Sequence, residues 1–400
     1  MRNDSGQQAY GELIETLREA PVRDLAWLLL SADLLSAARF PAALAHFDGV
    51  QAAADIAAVS PQGLPPAPLP GVAEPVFHSR VLHDWLLACD ANPEPLREML
   101  ARGESHRLGR YAEQLLHFAL LHSPRFDLIA AGLQVRDVRR GNMTLGECDF
   151  LLERRADRRL LHWELAVKLY LFVPPEVPSS PSSVLDERAI QFHWLGPNLA
   201  DSLADKVARL LGHQLRLTSL DAARSALPAP GPWLPQVYLK GWLFHPLGQR
   251  GTLPQVASEA HGRGWWATLD EWWVHAHSML PGRQTSQRRQ TGAWAMLPRS
   301  RWLAPARVDA CAALSLDAMR AHIEAHWRER GVAEPLLIVS LARRTDDAAA
   351  GDWFECERGF VVPDFWAPRA RHRIEELRER ADAAARRALA QTADDGAPSI

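Results

Sequence analysis

Lysine is nearly missing from this chain. Of 45 basic residues only three are lysines, Lys168, Lys206 and Lys240, and the rest are arginines. Where arginine supplies every generic positive charge, a retained lysine marks a position that needs a compact, tunable ammonium. Cysteine is scarce too: Cys89, Cys148, Cys311 and Cys356 lie far apart, with no C-x-x-C pair. That excludes a zinc framework or a disulfide scaffold and fits a reducing cytoplasm. The longest apolar run, residues 25–30, is far too short to span a bilayer. The opening MRNDSGQQAYGE contains no apolar signal core. A cytoplasmic protein without a membrane segment is therefore expected. The net charge of −3 provides no global basic field, which weakens a nucleic-acid role but leaves room for a local basic groove. There is no internal repeat, and no Walker or dinucleotide glycine motif, since Gly262 and Gly264 lack the context for either.

What is present suffices for two or three domains with a substantial core: 400 residues, 47% hydrophobic and 23% charged. Residues 22–35 and the alanine-rich 42–58 read as helices. A proline-rich loop over 60–75 follows, then a further helical stretch over 76–104. From residue 108 the pattern sharpens. Residues 108–122 place Leu108, Ala112, Leu115, Leu116 and Ala119 on one helical side. Residues 126–135 read as a strand, and 145–172 as two strands joined by a charged turn. After a polar loop at 174–186, residues 198–217 form a helix with Asn198 as N-cap. A strand over 235–244 places Gln236, Tyr238, Lys240 and Trp242 on one face. Beyond 246 come a tryptophan-rich stretch, strands near 294–302, 336–341 and 359–362, and a charged helix over 369–391. This order gives four regions: a helical 1–105, a core at 106–246, a mixed 247–368, and a terminal helix and tail at 369–400.

The hairpin carries the chemistry. In its second strand Leu161, Trp163, Leu165, Val167, Leu169 and Leu171 share one face, and His162, Glu164, Ala166 and Lys168 the other. Bringing the polar faces together sets Asp149 near Glu164, with Lys168 further along. Two carboxylates and a lysine on a sheet surface suit a divalent cation, and equally an ordinary solvated ion pair. On the 198–217 helix, Lys206, Arg209, His213 and Arg216 follow helical spacing and form a basic stripe, which binds phosphates or simply faces solvent. His275 and His277 have no third ligand nearby.

The order helix, strand, two-stranded hairpin, helix, strand resembles the shared core of the PD-(D/E)xK nuclease superfamily. Carried over residue by residue, the resemblance makes Glu113 the helix acid, Asp149 the strand aspartate, and Glu164 with Lys168 the acid and lysine. It implies Mg²⁺ or Mn²⁺ held by Asp149, Glu164 and Glu113. It also implies nucleic-acid contacts from a basic or glutamine-bearing helix, here Lys206, Arg209, His213 and Gln214, together with Lys240. Two features depart from the motif: Cys148 stands where a proline is common, and Glu164 and Lys168 are four apart rather than two. The extra spacing moves Lys168 about 6–7 Å along the strand. Either Lys206 or Lys240 then supplies the ammonium, or catalysis is lost. The segments GECDFLL, HWELAVKLYL, GHQLRL, LKGWLF, LPRSRWLAP and ERGFVVPDFW together resemble a bacterial family known only as domain of unknown function 1853.

The expected fold is α/β, with a restriction-endonuclease-like core flanked by a helical N-terminal region and a mixed C-terminal one. The expected function is a metal-dependent nuclease acting on DNA or RNA. The alternative is a catalytically silent relative that binds nucleic acid or a protein partner. A third reading is a tryptophan-rich ligand-binding protein.

Overall fold

The computed structural model describes residues 4–47, 75–103, 107–137, 140–175, 187–249, 252–280, 292–331, 333–343 and 351–394. Helices α1 (Asp4–Thr16) and α2 (Ala20–Leu30) are followed by α3 (Pro75–Ala91) and α4 (Glu94–Ala101). Then come α5 (Leu108–Leu121), β1 (Phe126–Asp137), β2 (Met143–Arg154) and β3 (Arg159–Phe172). The central part continues through α6 (Glu187–Phe192), β4 (Trp194–Leu195), α7 (Leu203–Gly212) and β5 (Trp233–Pro246). The C-terminal part holds β6 (Gly262–Thr268), α8 (Leu269–Ser278), β7 (Ala293–Leu297), β8 (Arg307–Val308) and α9 (Leu316–Arg330). It ends with β9 (Leu336–Ala342), β10 (Trp353–Val362) and α10 (Trp366–Asp394).

The expected order of helix, strand, hairpin, helix and strand is present as α5, β1, β2–β3, α7 and β5. All the strands join one mixed sheet in the order β1-β2-β3-β5-β6-β10-β9-β7, with β4 beside β3 and β8 beside β10. The outer strands pair antiparallel, while β3–β5, β5–β6 and β6–β10 pair parallel. Parallel strands need both faces covered, because their connections lay helices over the sheet. β3 accordingly is buried along most of its length, and His162 and Glu164 are fully buried rather than solvated. On one face Trp163, Leu165 and Tyr238 pack with residues of α2 and α5. On the other, Tyr170, Val237 and Leu239 pack with Leu203 and Leu210 of α7. Because β5 pairs with β6 from Trp242↔Gly262 to Pro246↔Trp266, the sheet runs straight across the expected boundary at 246.

Several local expectations change. The helix over 76–104 is two helices, interrupted around Pro93, whose ring removes a backbone N–H from the helical ladder. Residues 42–47 are irregular, and Leu44 forms an isolated parallel bridge with Val237. Alanine's helix propensity gives way there to a bond from Ala45 N–H to the Val237 carbonyl. The rest of the 42–58 stretch, most of the proline-rich loop at 60–75 and most of the loop at 174–186 lie outside the described residues. α7 starts later than expected: its N-cap is Ser202, whose hydroxyl accepts from Asp205 N–H at 3.0 Å, and not Asn198. It also ends earlier, with Gln214–Ser219 tightening into 3-10 geometry. His275 and His277 sit on α8, where spacing by two separates them around the helix.

Candidate functional site

β2 and β3 are paired from Arg154↔Arg159 to Phe150↔Trp163. Beyond that point β2 continues beside β1, and β3 beside β5. Asp149 and Glu164 are the next residues on the two strands, so they stand at the fork. Asp149 fills it directly: its Oδ2 accepts the Leu165 N–H at 2.8 Å. The turn after α7 holds the β2 side in place. His213 Nε2–H donates to the Leu145 carbonyl at 2.8 Å. Leu217 packs so closely on Gly146 that a Cβ there would meet its methyl group at 2.8 Å.

Glu164 is the terminus of a hydrogen-bonded chain. Its Oε1 lies 2.8 Å from His162 Nε2, and its Oε2 accepts from Gln214 Nε2 at 2.6 Å. Gln214 Oε1 in turn accepts from Lys206 Nζ at 3.0 Å. An ammonium can only donate, which orients the Gln214 amide and turns its NH₂ toward Glu164. Glu164 is thus an acceptor toward Gln214, and with His162 Nε2 carrying its proton it accepts at both oxygens. A carboxylate has about four lone-pair sites, so further acceptor capacity remains. Thr218 Oγ1 approaches His162 Nδ1 at 3.5 Å. His162 therefore positions Glu164 instead of facing a ligand.

The electrostatics follow from this crowding. Burial, then the charges of Glu164 and Glu113, push the Asp149 pKa up to about 8, while the Leu165 N–H and Lys206 pull the other way. Burial, then repulsion from Lys168, brings Lys206 down to about 8, against the attraction of Glu164 and Asp149. Glu113 is raised as well, by burial first, despite an ion pair with Arg110 at 2.6 Å. Arg110 also reaches Glu147 at 3.2 Å. A cleft of about 300 Å³ opens here, lined among others by Arg110, Glu113, His117, Gly132 and Asp149.

The three lysines have separate fates. Lys168 Nζ is taken up by Asp201 at 2.5 Å. Lys206 is buried and linked to Glu164. Lys240 is buried, paired with Asp33 at 2.9 Å and donating to the Ser31 carbonyl at 2.5 Å. It lies opposite Val167, on the sheet face away from Glu164. The expected basic stripe is divided: Arg209, His213 and Arg216 are exposed, but Lys206 points inward. Sequence reasoning missed Asp201 and Arg110. Asp201 lies 33 positions from Lys168, so spacing gives no signal for that pair.

Among the described residues no group of three or more His, Cys, Asp or Glu side chains is arranged to hold a metal ion. A closed structural zinc site is thereby absent from them. Of the two carboxylates, Asp149 lines the cleft and Glu164 is fully buried. Mg²⁺ retains several waters and takes only one or two carboxylates, with substrate oxygens completing its shell. Among the described residues, too, no helix is long and apolar enough to cross a membrane.

No curated protein and no solved structure matches the chain. One family model does, over residues 23–362, from α2 to the end of β10. The match takes in the forked strands, the Lys206 helix and the whole C-terminal half of the sheet, and the chain belongs to the family described as domain of unknown function 1853.

Proposed function

We propose that this chain is a divalent-metal-dependent phosphodiesterase of nucleic acid, on a restriction-endonuclease-like core of α5, β1, β2, β3, α7 and β5 and with a distant kinship to the PD-(D/E)xK nucleases. The observation that carries the reading is the juxtaposition of Asp149 and Glu164 where β2 and β3 part, with Lys206 joined to Glu164 through Gln214. Asp149 and Glu164 would hold Mg²⁺ or Mn²⁺, with Glu113 at the cleft wall. The bound cation would polarise the phosphoryl oxygens and lower the pKa of water. Lys206 takes the role the motif assigns to Lys168. Its lowered pKa brings proton exchange close to neutral pH, and a group so tuned orients or deprotonates an attacking water. Arg209 in the last turn of α7 and His213 at its C-cap are exposed and would be the groups to meet phosphates of DNA or RNA.

A second reading is favoured by specific pairings. Glu113 is engaged by Arg110, Lys168 by Asp201, and Glu164 is fully buried. These suit a silent scaffold that binds nucleic acid or a protein without cutting. Calorimetric titration of Mn²⁺ into wild type and Asp149→Ala, with cleavage assays on DNA and RNA oligonucleotides, separates the two. The enzyme reading expects saturable Mn²⁺ binding lost in Asp149→Ala. It also expects Lys206→Met to lower cleavage by about 10²-fold or more, with Lys168→Met costing less than about tenfold. Absence of Mn²⁺ binding and of cleavage in wild type would leave the silent scaffold.

A further inference from the structure

One wall of the cleft beside Asp149 is a row of hydrogen-bond donors. Arg110, Gln114 and His117 follow one another on α5 at spacings of four and three, so they share a side of the helix, and all three line the cleft. Phe150 packs edge-on against the His117 ring, with centroids 6.4 Å apart. The cleft is also lined by Ala131 and Gly132 of β1, both exposed, which have no bulk to keep an incoming chain away. Gly132 has φ of 63°, the left-handed conformation that glycine adopts at no steric cost.

Arg110 is the cation of that row, and it is held in an unusual way. Its Nη1 alone donates to two carboxylates, Glu113 of α5 at 2.6 Å and Glu147 of β2 at 3.2 Å. Two elements therefore fix one corner of the guanidinium. Among the described residues its Nε and Nη2 have no acceptor. Those two nitrogens form the side-on edge of a rigid fork, the edge that pairs with a phosphate through two parallel N–H bonds. The Arg110 side chain is 53% exposed, so the group is reachable from solvent. The two carboxylates are at odds with a site built for charge alone, because each repels an anion. They make sense as holders: tied at Nη1, the guanidinium keeps one orientation and gives up less rotamer freedom when an anion arrives.

We propose that Arg110 anchors a backbone phosphate of a nucleic-acid strand through its Nε–Nη2 edge, and that Glu113 and Glu147 are positioning residues that aim it. The anchor stands in the same cleft as Asp149, so it fixes where a strand lies relative to the carboxylates. The inference rests on the nucleic-acid part of the reading above, and neither on cleavage nor on a bound metal. It also separates two accounts of Glu147. If charge alone governs the site, removing that carboxylate strengthens anion binding. If Glu147 aims the arginine, removing it weakens binding.

The test is fluorescence anisotropy on the full chain with short labelled DNA and RNA oligonucleotides, single-stranded and duplex, in Ca²⁺ and in chelator across a salt series. Arg110→Met is expected to weaken binding about tenfold and to lower the slope of log affinity against log salt by about one. Arg110→Lys keeps the charge without the fork, and is expected to restore the slope but not the affinity. Glu147→Met is expected to weaken binding about threefold although it removes a negative charge. Glu147→Gln keeps an acceptor for Nη1, and is expected to bind at least as tightly as wild type. Circular-dichroism melts confirm that the variants are folded. Binding unchanged in Arg110→Met, or strengthened in Glu147→Met, would overturn the proposal, and cleavage by wild type would still leave the phosphodiesterase reading standing. Binding weakened in both variants with no cleavage in Mn²⁺ upholds the anchor and removes the enzyme reading alone. Inorganic phosphate binding as tightly as the oligonucleotides would overturn the strand as ligand. No oligonucleotide binding by wild type would overturn both.

Discussion

Asp149 answers to every charge around the fork, and its protonation makes stability depend on pH. Its pKa is about 8 in the folded chain against an ordinary 3.8, so the folded chain keeps a proton that the unfolded chain loses. A raised folded pKa contributes stability that is fully present below about pH 4 and is lost as pH rises through about 8. Asp149→Asn keeps an acceptor for Leu165 N–H and carries no charge at any pH. Its melting temperature is therefore expected to rise relative to wild type between pH 5 and pH 8.5, which thermal melts across that range would check. Lys206 has the opposite sign. Its folded pKa of about 8 lies below 10.5, so its contribution is present above about pH 10.5 and lost as pH falls through about 8. A divalent cation competes with the Asp149 proton, so under the metal reading Mn²⁺ should raise the wild-type melting temperature more at pH 8.5 than at pH 6. The carboxylates were legible in the sequence because strand alternation and a short hairpin bring Asp149 and Glu164 together. The lysine was not. Lys168 shares their face, but only the folded chain shows that Asp201 takes it and that Lys206 is the lysine joined to Glu164, through Gln214.

At the scale of elements, α7 and the fork depend on a few contacts. The Ser202 hydroxyl caps the helix that delivers Lys206 and is fully buried. Ser202→Ala is expected to cost about 1 kcal/mol in denaturant titration. If the Lys206–Gln214–Glu164 chain matters for cleavage, the same change also lowers activity without touching a substrate contact. Gly241 sits where β5 presses against β3: a Cβ would fall 1.9 Å from the Lys168 carbonyl oxygen. Gly241→Ala is expected to cost about 1–3 kcal/mol because the obstacle is backbone and cannot rotate away. Helix and strand positions in the core were readable from periodicity. The exact ends of α7 were not, since Asn198 and Ser202 both offer capping side chains and packing against β4 selects one. Ser202 forms an isolated bridge with Leu195 there.

At the scale of the molecule, one sheet binds what the sequence suggested were separate regions. Arg358 of β10 donates to the carbonyls of Trp302, Leu303 and Ala304 and pairs with Glu355 at 2.6 Å. Asp24 of α2 receives the Ala304 N–H at 3.0 Å and the Tyr111 hydroxyl at 2.8 Å. The segment 302–304 thus ties the N-terminal helices, α5 and β10 together. Full-length protein is expected to unfold in one transition, with tryptophan fluorescence and circular dichroism coincident. A fragment ending at 249 is expected not to fold cooperatively, because β5 would become an unpaired edge. Arg358→Met is expected to cost about 3–5 kcal/mol, since it strands Glu355 in the interior.

The sequence by itself determined the α/β class, the succession of α5, β1, β2–β3, α7 and β5 without the intervening α6 and β4, the nearness of Asp149 to Glu164 and the family. Each rests on local periodicity, on motif residues close in sequence, or on whole-chain likeness. The tertiary structure decided that the polar face of β3 is buried, that Lys206 is joined to Glu164 through Gln214 while Lys168 pairs with Asp201, and that Trp27, Trp242, Ser31 and His261 wall a second cavity. Those relations join residues brought together only when strands pair and helices cover the sheet, and no spacing along the chain encodes them.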